Sequence, residues 1–249
     1  MPGFFVKSEN ISEDRILIRD KSDIHHISRV LRHEIGDRLV LTEPNGFIYE
    51  AEIINVGYDV IETRILSKYP SQDNLNIEIT LAQSVLKSQK QEIVIQKASE
   101  LGATRIIPYI SKNTVVRFDS EKDKTFRVKR WQKIAAESAK QCGRNNITEI
   151  GNIINFGELI EFDNFDVTLV CSEKEKQLSI KEHLQKNRSK VSRGSKILVI
   201  TGPEGGFDET EINLFKEKNF PTITLGNLVL RAETAAITAL SDIIYEFEL

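Results

Sequence analysis

One segment narrows the possible folds more than any other. The apolar run Lys196-Ile-Leu-Val-Ile200 leads straight into Thr201-Gly-Pro-Glu-Gly-Gly206, and Asp208 with Glu211 then opens an amphipathic stretch carrying Ile212, Leu214 and Phe215. Apolar run, glycine turn and capping box in that order read as strand, loop and helix. A strand of this type belongs in a parallel sheet, and a parallel sheet needs helices on both faces, so the flanking sequence should alternate the two periods. It does. Strands are expected over 77–82, 105–110, 167–171, 196–200 and 222–225. Helices are expected over 90–101, 126–142, 178–184, 209–218 and 233–247, the first two ended by Gly102 and Gly143 in left-handed caps.

The first seventy residues follow a different rule. Apolar residues at period two mark strands over 4–6, 15–18, 38–41, 47–56 and 60–66, and Pro44-Asn45-Gly46 carries a tight-hairpin signal. One helix, 24–32, interrupts them, with His25, Arg29 and Arg32 expected on one face. The polar stretch Tyr69-Pro-Ser-Gln-Asp-Asn74 divides the chain into a β-rich domain over 1–70 and an α/β domain over 74–249. His25, His26 and His33 lack the cysteines or clustered carboxylates that complete a zinc site, so no metal is expected.

Glycine-rich loops after parallel strands lie at the carboxyl edge of the sheet, where α/β proteins take up ligands, and the missing side chains let backbone approach a nucleoside. The loop 202–206 fits neither the GxxxxGK[ST] phosphate loop nor GxGxxG, which disfavours a plain nucleotide hydrolase or dinucleotide fold. Three glycines in five residues also suit a simple tight turn. A second loop follows strand 222–225, from Gly226-Asn227 to Arg231 and Glu233. That pair reads either as a polar site at a helix start or as a structural ion pair.

The net charge of −3 hides an asymmetry: residues 84–144 carry fourteen basic and six acidic side chains, a net of +8 against −11 for the rest. Such a segment suits a polyanionic partner, or a solvated helix face. From the residues, Lys129, Arg130, Lys133, Lys140 and Arg144, with His25, Arg29 and Arg32, are the candidates for phosphate contacts. Cys142 and Cys171 fit no metal or redox spacing and are expected as reduced, partly buried thiols. The N-terminus lacks a secretory pattern and no apolar run reaches membrane-spanning length, so a cytoplasmic protein is expected.

Read in order, His25-His26, Val30-Leu31-Arg32, Gly36-Asp37, the stretch from Gln96 to Gly102, Arg130-Trp131, Glu137, Gln141, Arg144, the 202–206 loop, Leu225-Gly226 and Leu230-Arg-Ala-Glu-Thr-Ala235 resemble the RsmE family of ribosomal RNA small-subunit methyltransferases, of the SPOUT class. The resemblance runs nearly end to end. It implies a PUA-like β-barrel joined to a methyltransferase domain with a trefoil knot, a homodimer, S-adenosylmethionine as donor, and N3 of one uridine in 16S ribosomal RNA as target. It further implies donor contacts from Cys171, Gly202, Pro203, Glu204, Gly205, Leu225, Gly226, Leu230, Thr234 and Ala235. For the RNA it implies His25, Arg29, Arg32, Lys97, Arg130, Lys133, Gln141 and Arg144.

Three positions depart from the family pattern: Gly3, where relatives carry a basic residue, Leu228, where an arginine is frequent, and Thr148, where a proline is common. For the chemistry, Arg231 is expected to stabilise charge on a uracil oxygen. Glu233 or Glu204 is expected to take the N3 proton or to orient Arg231, and the sequence does not choose between them.

Overall fold

The computed structural model describes residues 4–44, 46–71 and 75–249. By contact the chain divides into two units, residues 1–74 with 139–146, and residues 75–138 with 147–249. The opening segment of the first runs to residue 74. That unit also takes back a short segment from the middle of the chain, which no local pattern announces.

The first unit is a five-stranded sheet of β1 (Phe4–Phe5), β2 (Arg15–Ile18), β3 (Arg38–Thr42), β4 (Phe47–Val56) and β5 (Ile61–Pro70), in the order β1-β3-β4-β5-β2. All pairings are antiparallel except β1 with β3. Alternation does what period two demands: Tyr49, Ala51 and Ile53 of β4 turn inward to join Ile16, Ile18, Leu39 and Leu41 in one core. Between β3 and β4, the Glu43 N–H donates to Phe47 O at 2.8 Å and the Gly46 N–H to Glu43 O at 3.0 Å. Asn45 of the expected hairpin lies outside the described residues.

The helix expected over 24–32 is not one regular helix. Asp20 caps α1 (Lys21–His25) by accepting from the Ser22 and Asp23 N–H groups, and Ile24 and Ile27 reach the core. From His26 to Val30 the backbone widens into a π turn, closed by the Leu31 N–H on His26 O at 2.9 Å. Arg32 then leaves the helix at a φ of 56°. The face shared at spacings of four and seven residues is therefore broken, because a π turn shifts every later side chain around the axis.

The second unit holds a parallel sheet of β6 (Glu78–Ser84), β7 (Arg105–Ile110), β8 (Glu149–Ile150), β9 (Ile154–Asn155), β10 (Val167–Cys171), β11 (Lys196–Thr201) and β12 (Thr222–Ile223). The order is β12-β10-β11-β6-β7-β8, with β9 also on β7, and each pairing is parallel. The helices are α2 (Ser88–Glu100), α3 (Glu121–Cys142), α4 (Phe156–Leu159), α5 (Ile180–Asn187), α6 (Glu209–Glu217) and α7 (Ala232–Glu248).

The central strands β6, β10 and β11 are buried on both faces, and two cores result. Ile79, Leu81 and Val199 pack with Val94 of α2, Trp131 of α3, Leu184 of α5 and Leu240 of α7. Ala82, Leu198 and Ile200 pack on the other side with Leu159 of α4 and Phe215 of α6. Gly102 and Gly143 adopt the expected positive φ, 86° and 74°. Helix α3 starts five residues before the expected position, and β8, β9 and α4 are too short to leave a periodic signal.

Candidate active site

The carboxyl ends of β10, β11 and β12 converge on a cleft of about 330 Å³. Its first wall is the glycine loop. Strand β11 enters it through Thr201, whose Oγ1 donates to Gln83 Oε1 at 2.7 Å and whose carbonyl accepts from the Tyr109 hydroxyl at 2.9 Å. Burial raises the ionisation of Tyr109 well above the usual phenol range, with the Glu211 charge acting the same way, so the hydroxyl stays a donor.

Gln83 Nε2 reaches Gly202 O at 3.3 Å, Asn113 Nδ2 reaches Gly206 O at 3.0 Å, and Lys174 Nζ reaches Phe207 O at 2.8 Å. The capping box forms as the sequence predicts: the Asp208 N–H donates to Glu211 Oε2 at 3.0 Å, and the Asp208 carboxylate accepts from Thr210. Hydrogen bonds from Thr210 first, then the Lys112 ammonium at 2.9 Å, hold Asp208 far below the usual carboxylate range.

The second wall follows β12. Glu175 ties the β10 loop to this strand: it accepts from the N–H groups of Gln177, Leu178 and Lys176 and from Thr222 Oγ1, which keeps its pKa below the ordinary value. Gly226 then turns at a φ of 128°, a conformation side chains avoid, with nothing within 4 Å of where a Cβ would stand. Beyond it, Leu228 and Val229 are exposed, and Arg231 caps α7 with no ion-pair partner for its guanidinium among the described residues.

Of the residues expected to hold a donor, Cys171, Gly202, Pro203, Glu204 and Gly205 line the first side of the cleft. Leu225, Gly226, Leu230 and Ala235 line the second, together with Arg231. Thr234 is exposed and forms no part of the wall. Glu233 does not line the wall either, and it does not pair with Arg231: its Oε2 lies 3.7 Å from Lys90 Nζ. The same ammonium is 3.7 Å from Glu204 Oε1.

Lys90, Ser172, Glu173 and Lys176 are cleft residues that the sequence reading missed. The three after β10 obey the rule that pointed to the other two loops, since they also follow a parallel strand. Lys90 comes from the first turn of α2 and had no such signal.

Cys171 is buried, and burial first, then Asp242, pushes its thiol up to about 12. Cys142 is exposed rather than partly buried, because it is the last residue of α3, beyond the buried Ser138 and Ala139. Thr148 is fully buried, and its Oγ1 donates to Ala103 O at 2.7 Å, a bond that a proline could not make. Gly3 lies outside the described residues.

The candidate RNA-binding residues are distributed over both units. In the first, His25, Arg29 and Arg32 are exposed beside the π turn, and Gln141 is exposed near Arg144. In the second, Lys133 is exposed, Lys97 is bound to Glu100 at 2.8 Å, and Arg130 is bound to Glu92 at 2.6 Å. Lys97 and Arg130 are thus already paired, as i,i+3 spacing and adjacent helices invite. Among the described residues no group of three His, Cys, Asp or Glu side chains could hold a metal ion, and no helix is long and apolar enough to cross a membrane.

A model of the RNA methyltransferase domain matches residues 73–244, and one of the RNA methyltransferase PUA domain matches residues 18–63. Along its whole length the chain is 33% identical to ribosomal RNA small subunit methyltransferase E of Bacillus subtilis, over 100% of this chain and 98% of the relative. The chain belongs to the ribosomal RNA small subunit methyltransferase E family. The family member of Mesomycoplasma hyopneumoniae is 36% identical, over 98% and 99% of the two chains.

Among solved structures, a putative methyltransferase of Legionella pneumophila with bound S-adenosylmethionine superposes with a TM-score of 0.84 at 28% identity, covering 98% of this chain and 97% of the other. The fold is therefore that of a SPOUT-class RNA methyltransferase preceded by a PUA-like domain, as the sequence resemblance implies.

Proposed function

We propose that this chain transfers a methyl group from S-adenosylmethionine to N3 of one uridine in 16S ribosomal RNA of the small subunit, acting in the cytoplasm as a homodimer whose C-terminal segment forms the knot of its class. The observation that carries the reading is the cleft at the ends of β10, β11 and β12, in a chain that matches the family end to end.

The residues fit the donor. Gly226 leaves open space where any other residue would carry a Cβ, and Glu204 and Glu233 each keep a buried carboxylate oxygen with no hydrogen-bond donor. When bound, S-adenosylmethionine supplies an electrophilic methyl on a sulfonium sulfur. The 202–206 loop and residues 225–230 hold it, and the bonds from Gln83, Asn113 and Tyr109 keep that cradle in shape. Fixing the two reacting atoms at about 3–3.5 Å supplies on the order of 7–11 kcal/mol of barrier reduction.

Arg231 has no competing ion pair among the described residues and borders the cleft, so it is free to stabilise negative charge on a uracil oxygen as N3 loses its proton. Both carboxylates face Lys90 rather than Arg231, which supports Arg231 as the charge-stabilising group and solvent at the cleft mouth as the proton's destination. N3 lies on the Watson–Crick edge, so the uridine must be unpaired or extruded. Exposed His25, Arg29 and Arg32 in the PUA-like domain, with Lys133, Gln141 and Arg144, are assigned to the RNA.

The test is mass spectrometry of small-subunit RNA from cells lacking the protein. N3-methyluridine is expected to disappear and to return when the gene is restored. Its persistence overturns the reading.

A further inference from the structure

Three charged side chains from three separate elements meet beside the cleft. Lys90 comes from the first turn of α2, Glu204 from the glycine loop and Glu233 from the first turn of α7. The ammonium stands 3.7 Å from Glu204 Oε1 and 3.7 Å from Glu233 Oε2, close enough for attraction but beyond hydrogen-bond length. Glu204 Oε1 also accepts from the Lys87 N–H at 3.3 Å, at the start of α2, where a helix favours negative charge. The other oxygen of Glu204, and Glu233 Oε2, are buried with no hydrogen-bond donor.

Two carboxylates around one ammonium leave a negative charge unbalanced. Glu173 and Lys176, which also line the cleft, offset each other, and Arg231 is exposed to solvent that screens it. A buried carboxylate oxygen without a donor is costly, and the unbalanced negative charge beside the cleft favours a cationic ligand group over a neutral one.

This inference rests on the donor assigned above. The methyl donor carries a sulfonium cation, and its demethylated product carries a neutral thioether at the same place. We propose that Glu204, Glu233 and Lys90 form a charge selector that distinguishes donor from product, the unbalanced carboxylate stabilising the sulfonium. Glu204 and Glu233 favour the donor, and Lys90 moderates them so that the donor does not bind too tightly to turn over. After transfer the selector loses its counter-charge, and the product leaves.

The experiment is isothermal titration of the full chain with S-adenosylmethionine and with S-adenosylhomocysteine, in the unmodified protein and in Glu204→Gln, Glu233→Gln, Lys90→Met and Lys90→Arg. One charge at contact distance corresponds to roughly tenfold in affinity at a partly solvated site. Each glutamine variant is expected to lower the donor-to-product affinity ratio by about five- to tenfold while product affinity, which reports an intact cleft, stays within about twofold. Lys90→Met is expected to raise the ratio by about threefold, and Lys90→Arg to leave it unchanged.

Equal losses for both ligands, which contact with the α-ammonium common to both would produce, overturn the selector. So does a fall in the ratio on Lys90→Met. A purely structural role does not give shifts of opposite sign for the acids and the base. If the unmodified chain binds neither ligand, the function proposed above fails rather than the selector.

Discussion

The loop after β11 and the loop after β12 border the same cleft and are built on different principles. The first is pinned from outside: Gln83, Tyr109, Asn113 and Lys174 each hold one of its carbonyls or flanking groups. The second is anchored from outside only at its start, where the Thr224 N–H donates to Leu178 O at 2.8 Å and the Thr224 carbonyl accepts from the Ile180 N–H at 3.0 Å. Thr224 Oγ1 donates to Gly226 O at 3.0 Å, and past that point Leu228 and Val229 are 79% and 75% exposed and Arg231 caps a helix without using its side chain. Pre-organised backbone suits a small ligand of fixed shape, whereas an open, unpaired arginine suits a partner that arrives from solvent. On the function proposed above, the first loop serves the donor alone, while the second holds the donor through residues 225–230 and offers Arg231 to the target.

The sharpest way to break this division is Arg231→Ala. Turnover is expected to fall at least about a hundredfold, as for loss of one charge-stabilising group, while the donor affinity read by titration stays within about twofold. A loss of donor affinity matching the loss of turnover would move Arg231 to the donor side.

Gln83→Ala attacks the pinned loop instead. It strands the fully buried Thr201 Oγ1 and removes a donor from the partly buried Gly202 carbonyl, and the expected cost is about 1–3 kcal/mol, seen as a drop of several degrees in thermal melting and a weaker donor affinity. An unchanged melting temperature would show that the loop does not need its support.

A smaller effect tests burial at the base of the pinned side. The Cys171 thiol rises from an ordinary 9.0 to about 12. The folded chain keeps this proton where the unfolded chain releases it, so stability is full below pH 9 and is lost as the pH climbs through 9 toward 12. At neutral pH, iodoacetamide is expected to label exposed Cys142 rapidly and Cys171 only after denaturation. Labelling of both at equal rates would mean that the β10 edge opens.

The smallest effect belongs to Leu228→Ala on the open loop. At an exposed site it is expected to change stability by less than about 0.5 kcal/mol, with any change confined to RNA affinity.

The same contrast explains what the sequence revealed. Strand, glycine loop and capped helix at Lys196–Thr201 and Glu209–Glu217 were legible because each is set by local periodicity and turn chemistry. So was the second loop, since Gly226 and the start of α7 follow the same logic. Lys90 was not, because its role depends on α2 starting beside a loop more than a hundred residues away. Residues 139–146 grouping with the first unit, and the π turn at His26–Val30, are likewise decisions of tertiary packing. The strands β8 and β9, two residues each, are too short for any period to register.

The most direct test of the account is to supply the purified chain with methyl-labelled S-adenosylmethionine and small ribosomal subunits from cells that lack it, and to digest the RNA to nucleosides. The account predicts label in a single nucleoside, N3-methyluridine, that vanishes with Arg231→Ala. Label on a ribose 2′-hydroxyl, or no label while the donor still binds, would contradict it.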